Sequence, residues 1–158
     1  MSEAATGITP VRLVSYLGIF SVWYICALLA LTGVSFGLGI GFGHLGNVVT
    51  LIISAIMTGV KFAEENRREF IGAEKWKLGL MCLLASHLWS ALNTAMVTLL
   101  FLDHAERQGF MRALQTLQLD VWAFSVAIVS FFYYVAIVLF LGVGATNRFR
   151  KQQQGTEG

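Results

Sequence analysis

The chain has 158 residues, of which 56% are hydrophobic and 13% charged, with a mean hydropathy of +0.70; this is too apolar for an ordinary soluble domain and makes lipid the expected solvent. Its 11 Lys and Arg against 9 Asp and Glu leave a net charge of +2, so bulk charge gives no case for nucleic-acid binding. The two cysteines, Cys26 and Cys82, lie in apolar runs without a C-x-x-C or Cys/His companion; both read as small buried residues, and neither a disulfide framework nor a zinc site is expected.

Four apolar runs predict transmembrane helices over about 13–36, 45–63, 78–102 and 121–143, each long enough at ~1.5 Å per residue to cross a ~30 Å hydrocarbon core. The expected fold is an all-α membrane protein, one integral domain over 1–158 with a polar tail from 148. The first run is too long for a signal peptide, only Arg12 leads into it and no A-x-A site closes it, so it is expected to remain as a span. Basic residues are held on the cytoplasmic side during insertion. Arg12, Lys61, Arg67, Arg68, Lys75, Lys77, Arg148, Arg150 and Lys151 fall on one side, against Arg107 and Arg112 on the other. That split predicts an N-in/C-in topology, outer loops at 37–44 and 103–120, and one inner loop of about fourteen residues.

The first outer loop contains Gly41-Phe-Gly-His-Leu-Gly46, which has the G-x-G-x-x-G spacing of a dinucleotide-binding loop, with Glu64 and Glu65 about twenty residues on. No strand precedes these glycines, a membrane helix flanks them on each side, and the two acids fall across the bilayer. No nucleotide is therefore expected. The glycines read instead as a tight turn between helices, with Gly33-x-x-x-Gly37 permitting close helix approach.

The second span carries Asn47, Thr50, Ser54, Thr58 and Lys61 within an arc of roughly 80°. Beyond it lies the most charged stretch of the chain, Lys61 to Leu78, where Glu64 is placed to pair with Arg67 or Arg68 on a continued helix. Lys61-Phe62, then Arg68, then Glu74 just ahead of the third span resemble the inner-loop pattern of a family of small uncharacterised four-helix inner-membrane proteins of Gram-negative bacteria. Phe70 and Ile71 depart from that pattern, which has Pro and Thr there. The resemblance implies a four-span protein of the bacterial inner membrane. It supplies no activity. From the residues alone, these four side chains read as inner-leaflet anchors with local ion pairing or as a dedicated binding site.

The third span carries Ser86, His87, Ser90, Asn93, Thr94 and Thr98 within roughly 140° of its circumference. Unpaired polar groups are costly in hydrocarbon, so the stripes on the second and third spans are expected to face each other inside the bundle. Two readings follow: hydrogen bonds between helices, or a path for a proton, ion or small solute with His87 as its titratable group. His44, His87 and His104 lack ligand spacing, even with Asp103 and Glu106 beside His104, and no metal is expected. Along 103–120, Phe110, Met111, Leu114 and Leu117 share a helical face opposite Arg112, Gln115 and Thr116. This pattern predicts a short interfacial helix on the membrane surface, and a partner-binding helix would share it.

No hydrolytic triad or pair of membrane carboxylates emerges, and the cysteine pairs of a thiol–quinone enzyme are missing from the loops. The expectation is a non-enzymatic inner-membrane protein without cofactor, surrounded by the lipid bilayer and acting through helix-face contacts with itself or a membrane-protein partner. The alternative is an oligomeric transporter or channel built on the two polar stripes.

Overall fold

The computed structural model describes residues 12–39, 43–116 and 118–154, omitting the side chains of Gly43 and His44. Gly41, Leu117 and the last four residues of the expected tail lie outside the described residues. Among those described there are five helices and no strand: α1 (Leu13–Leu38), α2 (Gly43–Asn66), α3 (Gly72–Leu100), α4 (His104–Gln115) and α5 (Leu119–Gln154). All but α4 are long and apolar enough to cross a membrane. Each of these four helices packs against two neighbours in the order α1, α2, α5, α3 and back to α1, which leaves α2 and α3 across the diagonal.

The helices run further than the apolar runs predict, because charged residues that fit a helix continue them into the polar zone. α2 continues through Lys61, Glu64 and Glu65, with Lys61 and Glu65 one turn apart and 3.4 Å from each other. It ends where Arg67 enters the left-handed region at φ 49°. α3 begins at Gly72, where the Glu74 carboxylate reaches back to accept the Ile71 amide N–H at 3.2 Å. The expected loop of about fourteen residues thus shrinks to 67–71. α5 continues to Gln154, so the segment expected to be a tail from 148 is helical over most of its length.

The closest helix crossing is α2 on α5. A Cβ built at Gly59 would fall on the Leu141 carbonyl oxygen, and one at Gly144 would fall on that of Ile56. Ala55, Ala63 and Ala145 are buried along the same contact. Small residues let the two backbones approach, which is how helices gain packing where lipid is as apolar as the side chains. The expectation for Gly33-x-x-x-Gly37 fails: nothing lies within 4 Å of a Cβ at either position. Cys82 is buried as expected, whereas Cys26 is exposed on the outer surface of α1.

α4 is held at its N-terminal end, and none of its residues is buried. Asp103 caps it by accepting the Glu106 amide at 2.7 Å, while the Glu106 carboxylate accepts the Asp103 amide at 3.1 Å. Arg107 donates to the Leu99 carbonyl at 2.9 Å and so closes the end of α3.

Candidate functional site

Of the four residues singled out around the connection between α2 and α3, the structure brings Phe62, Arg68 and Glu74 together. Phe62 is fully buried and stacks on Phe70 with ring centroids 3.7 Å apart. The Arg68 guanidinium lies 5.2 Å above the Phe62 ring and donates one N–H to each Glu74 oxygen at 2.8 Å. The hydrogen bonds that Arg68 donates to the Glu74 carboxylate raise the Arg68 pKa above its ordinary value. Glu64 does not pair with Arg67 or Arg68 as expected; it meets Arg148 of α5 at 3.0 Å, because α5 is the neighbour of α2 at this end of the bundle.

Lys61 faces away from this cluster and meets Glu65. Glu65 in turn accepts the Tyr16 hydroxyl of α1 at 2.7 Å, and Asn66 donates to the Tyr16 oxygen at 2.7 Å. Tyr16 also packs on Phe62, with centroids 5.1 Å apart. A continuous network therefore ties α1, α2 and α3 at the end that carries the 67–71 connection. Tyr16 had no signal in the sequence, since its partners lie about fifty positions away and only folding brings them together.

The polar stripes divide differently. On α2, Thr50, Ser54 and Thr58 are fully buried, but the Ser54 and Thr58 hydroxyls donate to carbonyls of their own helix, Thr50 and Ser54, at 2.7 Å. On α3, Ser86 bonds the Leu83 carbonyl at 2.8 Å. Ser90 meets the Tyr24 hydroxyl of α1 at 2.8 Å, and the His87 Nε2 meets the Ser130 hydroxyl of α5 at 2.9 Å. Thr94 is exposed. The expectation that the two stripes face each other is thus corrected: their helices are diagonal, and α3 directs its polar groups to α1 and α5. Asn47 and Asn93 do come together, lining one cavity near the start of α2.

Among the described residues no group of three or more His, Cys, Asp and Glu could hold a metal ion. The glycine run and Glu64–Glu65 lie at opposite ends of α2, roughly 30 Å apart along a helix rising 1.5 Å per residue. The arrangement as a whole is a network of paired polar groups at one end, a close helix crossing at Gly59 and Gly144, and a cavity toward the other end. No family model, curated protein or solved structure matches the chain.

Proposed function

We propose that the chain is a non-enzymatic protein of the bacterial inner membrane, with both termini in the cytoplasm, that works through contacts of its helix faces with a copy of itself or another membrane protein. The observation that carries this reading is the first part of α5. Residues 118–129 are exposed on every side, over three turns, while the same helix is buried at Ile137, Val138, Leu141 and Ala145. Leu119, Trp122 and Phe124 are 79%, 50% and 68% exposed, so half or more of each of these large residues is left uncovered by the rest of the chain.

The cluster around Arg68 supports a structural role for the loop, because its charges are already paired within the chain. The buried hydroxyls of Ser54 and Thr58 give little support to a path for ions, since they are turned onto carbonyls of their own helix. The orientation rests on the basic residues, which apart from Arg107 and Arg112 all lie at the end with the 67–71 connection. The resemblance in Lys61, Phe62, Arg68 and Glu74 supports the inner membrane as the location. α4, capped at one end and exposed along Met111 and Leu114, fits a helix lying in the headgroup layer.

A photoreactive amino acid placed at Phe124 or Ile128 tests the reading in living cells. The expected result is a discrete protein adduct of fixed mass at both positions. Lipid adducts alone would reject it, and proton or ion flux through the purified protein in liposomes would move the function to transport.

A further inference from the structure

Two cavities flank the seam between α1 and α3. One, of about 200 Å³, lies on the α2 side and presents Thr32, Ser35, Asn47 and Asn93. The other, of about 210 Å³, is an apolar groove walled by Ile25 and Leu29 of α1 and by Trp89, Leu92 and Met96 of α3. Leu28 and Asn93 belong to both walls. Either volume alone falls below the ~300–1,000 Å³ of ordinary small-molecule sites, and joined across those two side chains they reach it. Leu29, Leu92 and Met96 are exposed, so the groove opens to the surroundings of the bundle.

The polar atoms at this place are incompletely satisfied. Asn93 Oδ1 is buried without a hydrogen-bond partner, as is Thr50 Oγ1, one turn along α2 from Asn47. Ser54, Thr58, Ser86, His87 and Ser90 all have partners, so the deficit on α2 and α3 is confined to this end of the stripes. A buried acceptor left unmade is costly, and more so where hydrocarbon surrounds the protein. No charged residue lines either cavity. A phosphate head would therefore be desolvated without a counter-charge, which selects against phospholipids.

We propose that the α1–α3 seam binds an uncharged membrane amphiphile with a hydroxyl-bearing head, of the class of a neutral acylglycerol. Its chain lies in the groove against Trp89 and Met96, and its hydroxyl donates to Asn93 Oδ1. Thr32, Ser35 and Asn47 provide further donors and acceptors for the rest of the head. This site is separate from the exposed part of α5 and does not depend on what that helix meets.

The test uses the full chain, purified and placed in phosphatidylcholine nanodiscs, with a diazirine-bearing monoacylglycerol as the label. Monoolein and methyl oleate serve as competitors, since they share a chain while only monoolein has hydroxyl donors. Saturable labelling of α1 and α3 peptides is expected, with monoolein competing at least about tenfold better than methyl oleate. Asn93→Leu should weaken monoolein about five- to tenfold and leave methyl oleate unchanged, while Met96→Trp, which fills the groove, should weaken both. Equal competition by the two esters, labelling spread as heavily over α5, or an Asn93→Leu protein that binds monoolein as the wild type does would overturn the proposal. Should that variant fail to fold, the comparison of the two esters on the wild-type protein decides by itself.

Discussion

Arg68 and Glu74 share two hydrogen bonds of 2.8 Å, and their side chains are 26% and 18% exposed. That burial places the pair between a surface ion pair, worth ~0–1 kcal/mol, and a fully buried one, where removing a partner costs ~3–5 kcal/mol. A double-mutant cycle with Arg68→Ala and Glu74→Ala, measured by unfolding in mixed detergent micelles, should give a coupling of about 1–3 kcal/mol; strict additivity would show that the pair is idle. Arg68→Lys should recover less than half of that coupling, since an ammonium keeps the charge and loses both the fork and its stacking on Phe62. The raised Arg68 pKa contributes stability that is fully present below the ordinary arginine value and is lost only as pH climbs past the raised one. Tyr16→Phe should cost about 0.5–1.5 kcal/mol in the same assay, because half-exposed Glu65 loses a donor and Asn66 one of its two acceptors. An unchanged unfolding midpoint would show the network to be solvated. Arg68 and Glu74 were legible in the sequence because they stand six residues apart around a turn, whereas Tyr16 was not, because its contacts are made by helix packing.

At the level of the helices, the four spans were legible from their apolar runs, since the length needed to cross hydrocarbon is a property of the local sequence. Which spans touch was not. Gly33 and Gly37 have the spacing of a packing motif and meet nothing, while Gly59 and Gly144, unremarked in the sequence, carry the closest crossing. Spacing marks a smooth patch on a helix but does not say which helix covers it. Gly59→Ala should therefore destabilise by about 1–3 kcal/mol, since its Cβ meets backbone that cannot rotate away. Gly33→Ala should be neutral or stabilise by up to about 1 kcal/mol through lower chain entropy. The reverse order of these two variants would refute the crossing. The short helix α4 was legible from its amphipathic pattern, and its start was also written in the capping signal Asp103-x-x-Glu106. The apolar runs placed the ends of α2 and α5 too early, because charged residues near those ends favour helix as well as water. If α4 lies in the headgroup layer, Met111→Trp should be quenched by lipids brominated near the carbonyl; quenching only by aqueous iodide would place it in water.

For the molecule as a whole, one end is tied and the other is open. At the end with the 67–71 connection, the Arg68–Glu74 and Glu64–Arg148 pairs and the Tyr16 network fasten all four long helices. Toward α4, the cavities at the α1–α3 seam and the unaccompanied turns of α5 leave surface for other molecules. The basic residues gather at the tied end, so the account places that end in the cytoplasm and the open end outside. The side of the membrane on which the seam and the exposed turns of α5 lie depends on this orientation, and it can be read directly. With Cys26 and Cys82 replaced by alanine, single cysteines placed at Gln108, Glu69 and Arg150 are treated in intact cells with a membrane-impermeant maleimide. The account predicts labelling at Gln108, and at Glu69 and Arg150 only after the membrane is opened; labelling of Glu69 in intact cells, with Gln108 silent, would contradict it.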